Sequence, residues 1–188
     1  MVLHAVTDAR SLTRMLWLGM YSPHGLSAPY QAGIETQAGL KAQLLARQHG
    51  YGYGLLFSKP KWRLIQDSIA YMTGDDLHEI ELAIVGRGSL VIVGGDHERY
   101  GVSFLFPEMS EHLDSLTLAD PDLVGPDVEI TVQKYVTTVP ARYAVRQPLL
   151  LATLEYFYRT GELLRSARWE IGNTGQLAPV PPAKDTSG

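Results

Sequence analysis

The chain has 188 residues, of which 45% are hydrophobic and none is cysteine. This length indicates one domain that is long enough to bury its own core, and the apolar fraction argues against disorder over most of the chain. The absence of cysteine excludes disulfide scaffolds, thiolate nucleophiles, zinc ribbons and iron–sulfur clusters. No apolar run approaches the roughly 20 residues that span a bilayer, and the first residues lack the order of a signal peptide. We therefore expect a cytoplasmic protein that does not contact a membrane.

The formal charge of −4 is distributed unevenly along the chain. Between Leu64 and Gln133 there are 14 acidic residues and only two basic ones, Arg87 and Arg99, which gives −12, whereas the two flanks together carry +8. A surface that binds phosphates needs clustered Lys and Arg, so we expect no direct contact with nucleic acid. A basic protein surface suits the middle segment much better.

The N-terminal part is predicted to contain a strand, a helix and a loop. Residues 2–6 read as a short strand. Thr7 or Asp8 then begins a helix, because its side chain can accept amide hydrogens of the first turn. Pro, Gly and Ser make a loop of residues 20–30.

A second helix is predicted over residues 36–48, with its leucines on the inward side and Gly50 at its C-cap. Glycine and tyrosine alternate over 50–54, which fits either a bent strand entry or a tyrosine contact surface. Residues 55–58 predict a strand, and residues 62–72 predict another.

The clearest pattern is an antiparallel meander in the middle of the chain. Polar and apolar residues alternate over 78–85, and two further runs follow over 89–94 and 100–106. Glycine turns join the three runs, at Gly86-Arg87-Gly88 and at Gly94-Gly95.

An acidic connection with several prolines follows over 107–126, and residues 128–133 then alternate as a half-buried strand. The last helix begins at Gln147, followed by a proline that is tolerated in the first turn, and Gly161 ends it. A final strand is predicted over 163–171.

These elements predict an α+β fold with a mostly antiparallel sheet, formed by a β-meander plus a C-terminal β-α-β unit, and two or three helices packed on it. A parallel doubly wound sheet would need a helix between successive strands, and the meander has none. We expect a single domain over residues 1–172 and a flexible tail over 173–188.

Two clusters of acidic residues and histidine occur in predicted turns, at Asp75-Asp76-Leu77-His78-Glu79 and at Asp96-His97-Glu98. They are either solvated turn residues or the ligands of a small metal-dependent hydrolase built on Asp75, His78, Asp96 and His97. Neither cluster contains the HExxH pattern of zinc proteases. The chain also lacks a GxSxG elbow, a phosphate-binding P-loop and a GxGxxG motif after a strand, so we expect no cofactor and no nucleophilic catalysis.

Three segments resemble the first-numbered immunity protein family of bacterial polymorphic toxin systems. They are the opening HAVTDARSL, the glycine-turned meander and the ending PLLLATLEYFYRTGELLRSARWE. In that family a last helix runs into Thr-Gly and then into a short strand that closes on a tryptophan, which here are Thr160-Gly161 and Trp169. The chain departs from the family in the longer stretch over 20–53 and in Glu162 and Leu163, which replace the family's proline after Thr-Gly.

The resemblance implies a non-enzymatic antitoxin that binds and blocks a cognate toxin, often a nucleic-acid deaminase or nuclease. An inhibitor can cover a basic cleft with carboxylates that stand in for phosphates. Aromatic side chains supply rigid contact area at little entropic cost. The residues that we hypothesise to bind the toxin are Asp75, Asp76, Glu79, Asp96 and Glu98, with Trp62 or Tyr53 as apolar anchors. A secretion-associated adaptor remains the other alternative.

Overall fold

The structure is a computed structural model that describes residues 35–48, 54–107, 115–172 and 174–178. The strand, helix and loop predicted before residue 35 lie outside these residues. The described helices are α1 (Trp62–Ala70) and α2 (Gln147–Thr160). The described strands are β1 (Ala42–Gln48), β2 (Leu55–Ser58), β3 (Leu77–Ile84), β4 (Gly88–Gly94), β5 (Arg99–Leu105), β6 (Leu116–Ala119), β7 (Val128–Val132), β8 (Tyr135–Val139), β9 (Val145–Arg146) and β10 (Arg168–Ile171).

Eight of the strands form one sheet in the order β10-β6-β5-β4-β3-β1-β2, and β9 adds to β5. Every neighbouring pair in this sheet is antiparallel. The predicted α+β class is therefore confirmed, and the predicted meander corresponds to β3, β4 and β5. β6 lies inside the segment predicted as an irregular connection, and β10 is shorter than the strand predicted over 163–171.

The core lies between one face of the sheet and the two helices. Alternate residues of β3, among them Ile80 and Leu82, are fully buried on this face, as the period of a strand requires. Phe157 on α2 packs edge to face on Phe104 of β5, with ring centroids 5.9 Å apart. Each such buried side chain stabilises the fold by about 1.5–3 kcal/mol. Neither described helix is long and apolar enough to cross a membrane.

The helix predicted over 36–48 is wrong, because its second half is strand β1. Ala, Leu, Gln and Arg are good helix formers, but here they lie between β2 and β3 and pair with both. Burial follows a period of two: Ala42, Leu44 and Ala46 are buried, and the residues between them are partly exposed. Tertiary pairing thus overrides local propensity.

The strand predicted over 62–72 is also wrong, because these residues form helix α1. Its buried residues, Trp62, Ile65, Ser68 and Ile69, recur at the spacing of a helix rather than that of a strand. The hydroxyl of Ser68 donates to the carbonyl of Leu64 one turn earlier, at 2.8 Å. The aromatic and β-branched residues that suggested a strand serve as the inward face of a helix.

Helix α2 begins and ends where the sequence predicts. Pro148 lies in the first turn, where a missing amide hydrogen removes no helical bond. Gly161 adopts the left-handed conformation, with φ 70°, and its amide donates to the carbonyl of Phe157 at 2.7 Å. Beyond β10, residues 174–178 return beside that strand, and the amide of Ala178 donates to the carbonyl of Trp169 at 2.9 Å.

Strands β7 and β8 form a separate two-stranded sheet on the side of the main sheet opposite the helices. Ile130 packs over Gly101 of β5, where a Cβ would lie 3.6 Å from the Ile130 Cδ1. The β-α-β unit predicted for the C-terminal part placed β7 in the main sheet, whereas β9 is the strand that precedes α2 there. β8 was not predicted.

The two residues of the β7–β8 turn, Gln133 and Lys134, both have left-handed backbone conformations, with φ of 52° and 68°. Two-residue hairpins favour Asn-Gly in this geometry, because a side chain with Cβ is strained there. We expect Lys134→Gly to raise the free energy of unfolding by about 0.5–1 kcal/mol in urea denaturation. Lys134→Ala removes the same charge but keeps Cβ, so it should bring no such gain. Equal effects of the two substitutions would contradict the backbone explanation.

Candidate functional site

Two acidic loops lie at the same end of the main sheet. The first loop precedes β3 and contains Asp75 and Asp76, and the second joins β4 to β5 and contains Asp96 and Glu98. Because β3 and β4 are antiparallel, with Glu79 opposite Val93, the start of one strand lies beside the end of the other. We call the four carboxylates Asp75, Asp76, Asp96 and Glu98 the acidic end.

Gly95 allows the two loops to pack closely against each other. Gly95 has φ 103°, and a Cβ built on it would lie 2.5 Å from both the Cβ and the carbonyl oxygen of Met72. Only a residue without a side chain permits this approach. The loop after β4 is therefore fixed directly against the loop that leads into Asp75 and Asp76.

The β7–β8 hairpin also forms hydrogen bonds with both acidic loops. The hydroxyl of Thr131 donates to the Oδ2 of Asp96 at 3.1 Å, and the amide of Gln133 donates to the carbonyl of Gly74 at 2.8 Å. The other oxygen of Asp96 lies 3.3 Å from the Nε2 of His97. Asp96 is thus held by its neighbours, and the backbone beside Asp75 is anchored as well.

The remaining carboxylates of the acidic end are free. Asp75, Asp76 and Glu98 are exposed, and no hydrogen bond or ion pair joins their side chains to any residue in the described ranges. Burial, together with the negative charge of Glu98, raises the pKa of Tyr100 to about 12. Three negative charges without an internal counterion therefore face outward here.

Elsewhere, several acidic residues of the middle segment form ion pairs with arginines. Glu79 forms an ion pair with Arg47 across β3 and β1, so its charge is matched within the chain. Other acidic residues pair with arginines outside the segment, as Asp67 does with Arg63 and Asp120 with Arg146. Part of the segment's negative charge is therefore matched by arginines outside it, and part of the unmatched charge lies at the acidic end.

The two aromatic anchors suggested by the sequence do not belong to this site as described. Trp62 is only 3% exposed and packs against Tyr158, with ring centroids 5.7 Å apart. The prediction that Trp62 anchors a partner is therefore wrong, because this residue lies on the inward face of α1 and belongs to the core. Tyr53 lies outside the described residues.

The residues suggested as metal ligands, Asp75, His78, Asp96 and His97, do not form a ligand cluster. Among the described residues, no group of three or more His, Asp or Glu side chains is arranged to hold a metal ion. His78 is buried on β3, whereas His97 is exposed, with 84% of its side chain accessible. One imidazole therefore lies in the protein interior and the other in solvent.

Two buried carboxylates, Glu170 on β10 and Asp120 directly after β6, were not singled out from the sequence. Glu170 is fully buried, and it accepts hydrogen bonds from Tyr143, Arg142 and Arg168. Burial alone would raise the pKa of Glu170, but these hydrogen bonds and the two positive charges outweigh it and lower that pKa. Asp120 is 3% exposed and accepts a hydrogen bond of 3.1 Å from Arg146. Sequence spacing gives no signal for most of these pairs, because their members lie 26–28 residues apart, although Arg168 is only two residues from Glu170.

Two clefts, with volumes of about 460 and 420 Å³, lie nearby, and Arg146 and Pro148 line both of them. Asp120 lines the larger cleft, whereas His97 and Glu98 line the smaller one. Arg146 already pairs with Asp120, and Arg168, which lines the larger cleft, pairs with Glu170. The larger cleft therefore offers less uncompensated charge than the acidic end, and the smaller cleft adjoins the acidic end at Glu98. No protein-family model, curated protein or solved structure matches the chain.

Proposed function

We propose that this chain is an immunity protein, which binds a cognate toxin domain and covers its basic active-site region with the acidic end. The observation that carries the proposal is the presentation of three exposed carboxylates, Asp75, Asp76 and Glu98, by two loops that are fixed against each other. Because the backbone of these loops is already held in place, binding costs only the freedom of the exposed side chains.

The chemistry of these groups suits a protein that acts on nucleic acid. Such an enzyme attracts phosphates with clustered Lys and Arg, and carboxylates can occupy the same positions. Complementary charge also increases the rate of association, an effect that salt screens. Binding that weakens as salt increases is therefore part of the proposal.

The class of partner comes from the resemblance of the C-terminal segment, which ends in Thr160-Gly161 and Trp169. It suggests a deaminase or nuclease toxin that acts in the cytoplasm, where the inhibitor would meet it. We propose a binding protein rather than an enzyme. The described residues give no support to the metal-dependent alternative, since they contain no cluster of ligands.

The proposal is tested with the product of the neighbouring gene, since immunity genes lie beside those of their toxins. We expect this product to bind the full chain in a 1:1 complex and to lose its toxicity. The variant Asp75→Lys/Asp76→Lys should weaken binding at least about tenfold, because it replaces attraction by repulsion at two positions. Isothermal titration calorimetry at two salt concentrations measures both effects.

The matched control is Glu155→Lys/Glu162→Lys, which changes the net charge by the same amount. Glu155 lies on α2, and Glu162 follows Gly161, which packs against Arg87 at the opposite end of the sheet. Unchanged affinity is expected for this variant. Equal losses in both variants would mean that only the overall charge matters, and the assignment of the acidic end would be wrong. A neighbouring product that neither binds nor is neutralised would overturn the proposed function.

A further inference from the structure

Strand β8 is exposed in a way that is unusual for a strand. Its first four residues are exposed, and Tyr135 and Val136 are 76% and 60% exposed. Its sequence, YVTTV, is uncharged and consists of residues that favour strands. Proteins usually protect such an edge with charge, proline or a covering element, because it can pair with another chain.

The register identifies the backbone groups that point away from β7. Val132 and Tyr135 flank the two-residue turn, so they form a hydrogen-bonded pair, and the pairs then alternate along the hairpin. The amides and carbonyls of Val136 and Thr138 therefore point to the free edge. Within the described residues, neither residue makes a hydrogen bond beyond the hairpin.

Charge decides which kind of strand fits this edge. Glu129 lies opposite Thr138 on the same face of the hairpin, is exposed and has no partner among the described residues. The adjoining turn is bonded to Gly74, directly before Asp75. A second copy of this chain would bring like charges together, whereas a basic strand would bring opposite ones.

We propose that β8 pairs with an extended strand of the toxin, which adds a third strand to the β7–β8 sheet. The partner residue opposite Thr138 is a Lys or Arg, because strands lie about 4.8 Å apart and a long basic side chain reaches across the small Thr138 to Glu129. The main-chain hydrogen bonds supply affinity, and Glu129 together with the acidic end sets the choice of partner. This inference rests on the proposed function.

The test replaces Val136 in the full chain and measures binding of the neighbouring gene product. Val136→Pro removes an outward amide without breaking the β7–β8 ladder, and Val136→Lys places a positive charge on the edge. We expect each to raise the Kd about tenfold or more. Val136→Thr keeps the amide, shape and strand propensity, so its Kd should stay within about twofold. Circular dichroism and hydrogen exchange of the β7 amides verify that the hairpin remains folded.

A second measurement reads the pairing directly. Residue-resolved hydrogen exchange by NMR should show that complex formation protects the amides of Val136 and Thr138, whereas those of Tyr135 and Thr137 are already protected in the free chain. Unchanged exchange at Val136 and Thr138 in the complex would overturn the inference. The same holds if Val136→Pro binds like the parent while Asp75→Lys/Asp76→Lys does not, and the proposed function would then stand.

Sedimentation of the chain alone tests the alternative that β8 pairs with a second copy of the chain. A dimer that Val136→Pro dissociates would mean that β8 pairs with itself, which overturns a toxin strand as the occupant. A monomer is the expected result. If the neighbouring product does not bind the parent chain at all, both the proposed function and this inference fail together.

Discussion

Replacing Glu170 by Gln is expected to lower the free energy of unfolding by about 3 kcal/mol. Glu170 is fully buried, and its two oxygens accept hydrogen bonds from Tyr143, Arg142 and Arg168. The amide of Gln brings a donor against these donors and leaves two guanidinium groups without their anion. Breaking a buried ion pair by changing one partner costs about 3–5 kcal/mol, and the partial exposure of the arginines favours the lower end.

The stabilisation by Glu170 should depend on pH, in the direction set by its lowered pKa. The pKa of Glu170 lies below its ordinary value of 4.5 in the folded chain, so near this pH the carboxyl group binds fewer protons in the folded chain than in the unfolded chain. Its stabilisation is complete above the ordinary pKa and is lost as the pH falls through the folded pKa. Urea denaturation of both proteins should give a constant difference from pH 6 to 8 that shrinks below about pH 4. Glu155→Gln, in an exposed pair with Arg159, should change stability by less than about 0.5 kcal/mol.

Replacing Gly95 by Ala is expected to lower the free energy of unfolding by about 3 kcal/mol. The new Cβ would meet the Cβ and carbonyl oxygen of Met72 at 2.5 Å, and the backbone has a positive φ that disfavours any side chain. Steric overpacking typically costs about 1–3 kcal/mol, and the left-handed conformation adds about 1 kcal/mol. Thermal or urea unfolding measures the loss.

Gly86 provides the matched control for this substitution. It also has a positive φ, of 76°, but no heavy atom lies within 4 Å of a Cβ built on it. Gly86→Ala should therefore lose only about 1 kcal/mol. Similar losses at both positions would indicate that backbone conformation alone accounts for the effect, and that the contact with Met72 does not fix the two loops.

The meander and α2 were predictable because their local signals agree with the tertiary structure. Glycine turns separate the alternating runs of β3 to β5, and both ends of α2 carry the residues that helix ends require. The acidic loops follow from the same turns. Their position at one end of the sheet follows as soon as β3 and β4 are known to be antiparallel neighbours.

β1 and α1 could not be predicted, because their local preferences differ from their surroundings. Residues 42–48 are helix formers that become a strand through pairing on both sides. Residues 62–70 contain aromatic and β-branched side chains that a strand would favour, yet they cover the sheet as a helix. In each case the period of burial decides the structure, and this period becomes visible only when the inward face is known.

The distribution of charge could be predicted only in part. Counting along the chain identified the acidic segment but not the arginines that pair with it, since Arg47 and Arg146 are distant in sequence from Glu79 and Asp120. The division between matched and unmatched carboxylates depends on strand register. That register brings Arg168 and Glu170 of β10 beside β6 and the segment that contains Arg142.

In the proposed function, the free carboxylates of Asp75, Asp76 and Glu98 bind the toxin without contributing to the stability of the fold. Because their side chains bond to nothing else in the described fold, substituting them should change the free energy of unfolding by no more than about 0.5 kcal/mol. Asp96 differs, since it is tied to Thr131. A protein built in this way can acquire a new specificity at these three positions, step by step, while the scaffold beneath them stays intact. Such an arrangement suits an inhibitor whose target changes over evolutionary time.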